Sequence, residues 1–226
     1  FSHCIPVLFV SATSIFSAGS SFQWVRNQLC KDIMQNAGTK DPYVVMNELA
    51  AQSPIGAHKL LFNPSLAGGT GADLTPNIRG AYVGLDLKHT QADLIRSAME
   101  GIALALRIAL DYMKTMTTLQ DEILFVGGGA NSPLWLQMFA NIYGMSVVKT
   151  NVGQEAGSLG AAAIAAVGCG MWKDFSPIDH IHKIESISRV QPEAQAEYNK
   201  ILGVYKETSD YLAKIGDRLY ALDIAE

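Results

Sequence analysis

Residues 123–133 read Ile-Leu-Phe-Val-Gly-Gly-Gly-Ala-Asn-Ser-Pro. The apolar run 123–126 is typical of a buried strand, and Ser132 followed by Pro133 is typical of a helix start. A second apolar strand is predicted at 146–149, after that helix. This part of the chain therefore has the order strand, glycine-rich loop, helix, strand, which indicates an α/β protein.

The rest of the chain alternates between the apolar periods of strands and helices in the same way. Strands are predicted at 5–10, 11–16, 59–62 and 81–85, and helices at 20–36, 42–50, 90–116, 156–167 and from 192 onward. Asp41 before Pro42 predicts a capped helix start, and Thr90 with Asp93 three residues later predicts a capping box. The last helix is expected to place its apolar residues on one face, including Tyr198, Tyr205, Ile215 and Leu219.

The composition describes a globular chain without a strong charge. The 226 residues are 49% hydrophobic and 17% charged, which is enough for one large domain or two small ones. The formal net charge is -4, and the Lys and Arg residues are scattered, so neither nucleic acid nor a membrane is an expected partner.

The cysteines point to a reducing compartment. Cys4, Cys30 and Cys169 are far apart and form no CxxC or CxxH pair, so no disulfide framework and no metal site are predicted, and a cytoplasmic location is expected. No apolar stretch reaches the roughly 20 residues of a membrane helix. The chain starts at Phe1 without an initiator Met and inside an apolar run, so we expect it to be part of a longer protein.

Two glycine-containing segments are candidates for ligand binding, because each lies where a predicted strand meets a helix. They are residues 127–129 and residues 18–24. Glycine lets a ligand approach the backbone, and a helix start offers free N–H groups. The alternative for 127–129 is a tight turn without a ligand. The alternative for 18–24 is a capped helix in which Phe22 and Trp24 only pack.

Two nucleotide-binding motifs do not fit the first segment. A dinucleotide-binding loop needs a third glycine where Ser132 stands, and an acidic residue where the next strand ends in Lys149 and Thr150. No G-x-x-x-x-G-K-[ST] sequence is present either. On the long helix, the pairs Arg96/Glu100 and Arg107/Asp111 have i,i+4 spacing and are interpreted as a solvated face.

A longer motif changes the interpretation of these loops. Residues 80–85 read Gly-Ala-Tyr-Val-Gly-Leu, and Asp93-Leu94 and Ser97-Ala98-Met99-Glu100 follow at the spacing of the second signature of FGGY carbohydrate kinases, which this stretch resembles. Further similarity is found at 3–6, 18–24, 62–64, 67–68, 127–132, 155 and 158–162. The resemblance covers roughly residues 1–175.

The resemblance implies a ribonuclease-H-like domain of the actin-like ATPase class, with a mixed sheet flanked by helices. Residues 1–226 would form a single C-terminal domain, and the N-terminal domain with the sugar site and the catalytic residues would be absent. By position, ATP would be bound by Gly19, Phe22, Gln23, Gly128, Gly129, Ala130 and Ser132. Mg²⁺ would be held mainly through ATP and the absent domain, and no catalytic residue is assigned to this chain.

The activity implied by the resemblance is ATP-dependent phosphorylation of a sugar or polyol. The motifs are most similar to the xylulokinase branch of the family, so D-xylulose is the expected substrate, with gluconate, glycerol and ribulose as alternatives. The isolated chain is expected to be inactive, and the apolar face of the last helix allows a homodimer. A non-catalytic nucleotide-binding or interaction module is the alternative from another functional class.

Overall fold

A computed structural model describes residues 1–71 and 73–223. The helices are α1 (Gly19–Leu29), α2 (Lys31–Asn36), α3 (Pro42–Ala50), α4 (Gln91–Met116), α5 (Pro133–Tyr143), α6 (Ala156–Gly168), α7 (Pro177–Ile181) and α8 (Pro192–Tyr220). The strands are β1 (Leu61–Asn63), β2 (Ala81–Val83), β3 (Glu122–Phe125), β4 (Ser146–Thr150) and β5 (Ile184–Ser188). Short 3₁₀ turns occur at Ala57–Lys59 and Gly128–Asn131. The predicted α/β class is confirmed.

The chain groups into two compact units. The sheet unit comprises Phe1–Ala12, Leu119–Ala140 and Gly144–Val190. The helical unit comprises Thr13–Thr118, Asn141–Tyr143 and Gln191–Glu226. The organisation as a single domain stays a prediction.

The sheet unit contains a mixed sheet with the order β3-β4-β5. β3 and β4 are parallel, with Ile123 opposite Val147, and β4 and β5 are antiparallel. Phe139 of α5 packs on Phe125 of β3, with 4.5 Å between ring centroids. β5 was not predicted, because Ile184–Ser188 has neither a continuous apolar run nor a strict alternation of apolar and polar residues, and it is largely exposed.

The two strands predicted within residues 5–16 are wrong. The segment forms only an isolated bridge between Ser2 and Phe9, and the backbone turns at Val7, where φ is 64°. Pro6 has no N–H group to donate to a neighbouring strand. A strand needs a partner for its backbone groups, and within the described residues this segment pairs with none beyond the bridge.

The helix predicted at 20–36 is interrupted. Cys30 has a non-helical backbone with φ -124° and ψ 37°, so α1 ends at Leu29 and α2 begins at Lys31. The Cys30 side chain is buried at this break. Burial, together with the nearby charge of Asp32, raises the pKa of the Cys30 thiol to about 11. The thiol therefore stays protonated at neutral pH and is a poor nucleophile.

α4 forms the centre of the helical unit. It packs against α1, α3, α8 and the strand β1. Its residues 95–104 are all buried, so this stretch of the helix is surrounded by the protein on every side. Polar side chains on this stretch must therefore find partners inside the protein.

The interpretation of Arg96 and Glu100 as a solvated pair is wrong. Arg96 is 7% exposed and Glu100 is 3% exposed. The Arg96 Nε donates to Glu100 Oε1 at 2.8 Å, the Tyr198 hydroxyl donates to the same oxygen at 2.8 Å, and the Gly56 N–H donates to Oε2 at 3.1 Å. The buried carboxylate thus has three donors, two of which come from distant parts of the chain.

The second pair on α4, Arg107 and Asp111, is only partly buried. Arg107 Nε donates to Asp111 Oδ1 at 2.6 Å, and Lys206 of α8 lies 3.1 Å from the other oxygen. The Arg107 and Asp111 side chains are therefore less exposed to solvent than the sequence pattern predicted. Water still reaches Asp111, whose side chain keeps 29% of its exposure.

The apolar face predicted for α8 is confirmed in its first half and wrong in its last. Tyr198, Leu202 and Tyr205 are buried, whereas Ile215 and Leu219 are exposed. The buried positions near the end of the helix are the small residues Ala213 and Gly216. Gly216 lies against the backbone of the loop that precedes β2, which leaves no room for a large side chain there.

The predicted capping box at the start of α4 is confirmed, and it suggests a pH test. The Asp93 carboxylate accepts from Thr90 N at 2.8 Å, from Ser53 Oγ at 2.6 Å and contacts His58 Nδ1 at 2.8 Å. Burial alone would raise the pKa of Asp93, but these hydrogen bonds outweigh burial and hold the pKa well below its ordinary value. The contribution of Asp93 to stability is therefore present above about pH 4 and is lost as the pH falls further.

Asp93→Asn should accordingly lower the free energy of unfolding at pH 7 by about 1–3 kcal/mol. The difference from the wild type should shrink as the pH is lowered toward 3, because the Asp93 carboxyl of the unfolded wild type then becomes protonated while the folded one, with its lowered pKa, stays ionised. Urea unfolding of both proteins at a series of pH values measures this difference. An identical difference at pH 7 and pH 3 would contradict the assignment.

Candidate functional site

The first candidate segment lies at the start of α1 in the helical unit. Gly19 is the first helical residue, and Ala18 before it provides no side-chain cap for the helix N–H groups. The hydroxyls of Ser17 and Ser21 both donate to the carbonyl oxygen of Pro64, at 2.6 and 2.7 Å. These buried serines hold the uncapped helix start against the loop after β1. Their positioning role was missed from sequence, where the only signal was small hydroxyl residues beside a glycine.

The two other predicted residues of this segment have different surroundings. The Phe22 side chain is buried and stacks on Tyr43, with 5.6 Å between ring centroids. Gln23 is exposed one position further along the helix. The alternative in which Phe22 only packs is therefore correct for the Phe22 ring. The Gln23 amide, in contrast, is accessible to solvent and to a ligand.

The second candidate segment is the turn after β3 in the sheet unit. Gly127 has φ 92°, a conformation that favours glycine, and Gly128–Asn131 forms a 3₁₀ turn. The Ser132 oxygen accepts from the Trp135 N–H at 3.1 Å and so caps α5, as predicted. Ala130 and Ser132 are both buried beneath the turn.

The space around each glycine shows whether packing or an open backbone accounts for it. A side chain added at Gly129 would contact the rings of Phe125 and Trp135, at 3.3 and 3.4 Å. At Gly128 the nearest atom would be the Gln154 amide nitrogen at 3.6 Å, and at Gly19 nothing would lie within 4 Å. Packing explains Gly129, whereas Gly19 and Gly128 leave open backbone that a ligand can approach.

The predicted residues thus form two groups. Gly19, Phe22 and Gln23 lie together on the first turn of α1, and Gly128, Gly129, Ala130 and Ser132 lie together on the turn before α5. Each group presents backbone N–H groups at or near a helix start, which suits phosphate or ribose oxygens. Among residues 1–71 and 73–223, no cluster of three or more His, Cys, Asp or Glu side chains is suited to a metal ion. Over the same residues, no helix is long and apolar enough to span a membrane.

Comparison with known proteins identifies the family. Residues 2–169 match the profile of the FGGY family of carbohydrate kinases, C-terminal domain. The chain is 31% identical over 207 residues to a xylulose kinase of Staphylococcus epidermidis, covering 91% of this chain and 40% of that protein. It is 29% identical over 194 residues to a gluconokinase of Bacillus licheniformis, covering 84% of this chain and 37% of that protein.

A solved structure agrees with the sequence matches. The ligand-bound xylulose kinase from Lactobacillus acidophilus has a TM-score of 0.76 with this chain at 27% identity, covering 89% of this chain and 39% of that one. This likeness confirms the actin-like, ribonuclease-H-like class of the fold. The chain spans about 40% of the length of the curated xylulose kinase that it matches. Since the family profile covers most of its residues, the chain belongs to the FGGY family of carbohydrate kinases and corresponds to their C-terminal domain.

Proposed function

We propose that this chain is the nucleotide-binding half of an ATP-dependent carbohydrate kinase that phosphorylates a hydroxyl of D-xylulose. The observation that carries the proposal is the pair of open glycines, Gly19 and Gly128, each at an accessible turn of a chain from this family. The names of the xylulose kinase relatives support the substrate. Gluconate is the second candidate, because a gluconokinase also matches.

At the start of α1, the proposed ligand group is the ATP phosphates. The uncapped N–H groups at Gly19 point out of the helix start, where the helix dipole favours negative charge. The exposed Gln23 amide offers further hydrogen-bond donors. Phe22 contributes by fixing this turn through its packing on Tyr43, and its backbone rather than its ring would face the nucleotide.

At the turn before α5, the proposed ligand group is the adenosine. Gly128 leaves the backbone open, while Gly129 and Ala130 keep the turn close to the rings and the core beneath it. Ser132 would act by capping α5 and so holding the turn in place, since its oxygen already accepts from Trp135.

The contribution of this chain to phosphoryl transfer is binding and orientation. Bound Mg²⁺ supplies neutralisation of phosphate charge in such reactions. The chain spans about 40% of its xylulose kinase relative, and we propose that the rest of the longer protein supplies the carboxylates that would hold the ion and the base for the sugar hydroxyl. Weak ATP binding and no turnover are expected of the isolated 226 residues. A cytoplasmic location and a homodimer remain parts of the same proposal.

The experiment that tests the function is an ADP-release assay on the longest in-frame protein that contains this chain. Mg-ATP is supplied with xylulose, ribulose, gluconate or glycerol in separate reactions. Turnover with one sugar supports the kinase and names its substrate. A folded protein that releases no ADP above background with any of them would favour the non-catalytic nucleotide-binding module.

Gly128→Asp should raise the Michaelis constant for ATP at least tenfold, a loss of ~1.4 kcal/mol of binding. The new carboxylate would occupy the open approach to the turn and repel the nucleotide. Stability should change little, because the nearest atom to the added carbon is a flexible Gln154 side chain. Steady-state kinetics with varied ATP measures the effect.

Gly168→Asp is the matched control, because it adds the same charge at an exposed position in the same unit with nothing within 4 Å. Its Michaelis constant for ATP should equal that of the wild type. The same constant for Gly128→Asp as for this control, with both proteins folded, would remove Gly128 from the site.

A further inference from the structure

The helix α8 packs on the rest of the helical unit through one face. Gly216 lies against the backbone of Asn77, so the helix cannot turn about its own axis without breaking this contact. The opposite face, here called the outer face, is therefore held away from the core. The buried residues of α8 are Tyr198, Leu202, Tyr205, Ala213 and Gly216.

The outer face of α8 carries an apolar stripe. The stripe consists of Val204, Tyr211, Ile215 and Leu219, each of which keeps between 49% and 57% of its surface exposed. At 100° per residue, spacings of seven, four and four residues place the four side chains within a sector of about 80°. A solvated helix face normally carries polar residues, and a contiguous apolar row about 22 Å long indicates a surface that another chain covers.

Two charged residues flank the stripe on the same side. Glu207 and Lys214 are both exposed, and the Lys214 Nζ lies 5.4 Å from the centroid of the Tyr211 ring. Seven residues, or about 10.5 Å along the helix, separate Glu207 from Lys214, which is too far for the two to pair with each other. Within the described part of the chain, neither of them forms an ion pair. Both charges are therefore free to pair with another molecule.

The positions of the two charges match a second copy of α8 that runs antiparallel to the first. A twofold axis between residues 210 and 211 lies equally far from Glu207 and Lys214, so each Glu207 would face Lys214 of the other copy. In a parallel twofold pair the opposite flank, with Thr208 and Leu212, would face these charges instead. The charge pattern therefore favours the antiparallel arrangement.

The apolar stripe fits the same arrangement. The axis would bring the Tyr211 rings of the two copies together, and aromatic rings at such a distance attract each other. Val204 would lie level with the gap between Ile215 and Leu219 of the other copy, as a side chain does when helices interlock. One axis thus accounts for both the charged and the apolar residues of the outer face.

We propose that the outer face of α8, from Val204 to Leu219, is the contact surface between two antiparallel copies of this protein. The two stripes would cover each other, and two ion pairs between Glu207 and Lys214 would fix the direction and the register. Since one helix from each copy takes part, the interface is small, and the dissociation constant should be roughly in the micromolar range. The proposal assigns a surface to the homodimer and does not depend on nucleotide binding or phosphoryl transfer.

The test is sedimentation equilibrium of the longest in-frame protein that contains this chain, over a range of micromolar concentrations and without ATP or sugar. A monomer–dimer equilibrium is expected for the wild type. Ile215→Asp should weaken the association at least ~tenfold, because it would bury a carboxylate among apolar side chains. Leu87→Asp is the matched control, since it adds the same charge at an exposed apolar residue outside α8, and it should associate like the wild type.

Exchange of the two charges tests the pairing itself. Glu207→Lys and Lys214→Glu should each weaken the association about tenfold, because each places like charges opposite each other twice in the dimer. The double variant should return to within roughly threefold of the wild type, because opposite charges face each other again. The two residues are too far apart to compensate within one helix, so this recovery would require contact between copies.

Three outcomes would overturn the proposal. The first is a monomer at every concentration, which would mean that solvent or the rest of the longer protein covers the stripe. The second is equal association of Ile215→Asp and the wild type, and the third is a double variant that associates no better than the single variants. Since the measurement contains neither ATP nor sugar, its failure and the failure of the proposed kinase function are separate results.

Discussion

Arg96→Met should lower the free energy of unfolding by about 3–5 kcal/mol. The substitution would leave the buried Glu100 carboxylate without its cation, although the Tyr198 hydroxyl and the Gly56 N–H would still donate to it. Methionine fills much of the volume of arginine, so the loss of stability would result from the missing charge rather than from a new cavity. Urea unfolding at pH 7 measures it.

The loss in Arg96→Met should also depend on pH. Burial raises the pKa of Glu100, and the Arg96 guanidinium is the largest influence that opposes burial. Without Arg96 the folded state would favour the protonated carboxyl, whereas the unfolded state titrates near pH 4.3. Stability of the variant should therefore rise as the pH falls from 8 toward 5, and the gap from the wild type should narrow.

Arg107→Met is the control for this prediction, because Arg107 lies on the same helix and pairs with Asp111 at the same i,i+4 spacing. Asp111 would keep Lys206 at 3.1 Å and its contact with water. The expected loss is about 1–2 kcal/mol, because the hydrogen bond that Arg107 donates to the Ile142 carbonyl is lost together with the partly solvated ion pair. Equal losses in the two variants would show that burial does not distinguish the two pairs.

Gly101→Ala should lower the free energy of unfolding by about 3 kcal/mol, although alanine is the better helix former. Gly101 faces β1 from the middle of α4, and an added methyl group would overlap the carbonyl oxygen of Phe62. That oxygen belongs to a buried strand, so α4 and β1 would have to move apart. Chemical unfolding of the variant measures the cost.

Gly203→Ala is the matched control, because Gly203 also lies inside a long helix but is exposed, with nothing within 4 Å of the added carbon. Here the helix propensity alone should act, and stability should rise by up to about 1 kcal/mol. A gain in both variants would mean that α4 does not approach β1 as closely as the structure places it.

Helix starts were predictable because capping involves residues within four positions of one another. Asp41 accepts from the Tyr43 N–H, Ser132 accepts from the Trp135 N–H, and the box of Thr90 and Asp93 is formed as expected. The strands predicted within residues 5–16 failed for the opposite reason. Their apolar residues suit a strand, but a strand also requires a partner that local sequence does not specify.

The candidate site was predictable in position and not in detail. Glycines between a strand and a helix marked the turn at Gly128, and the uncapped helix start at Gly19 was marked by glycine among small residues. That Phe22 packs on Tyr43, and that a side chain would fit at Gly128 but press on rings at Gly129, depended on the surrounding fold. A cavity of about 260 Å³ in the helical unit could not be predicted either, because residues from four separate parts of the chain line it.

The sequence by itself determined the α/β class, the family and the places where the main helices begin, because motifs and caps are written in neighbouring residues. Only the tertiary structure decided which charges are buried. Arg96/Glu100 and Arg107/Asp111 have the same spacing on the same helix, yet Gly56 and Tyr198 enclose the first pair while water reaches the second. The physical reason is that the solvation of a charge depends on every group that packs around it, and most of those groups are distant in the sequence.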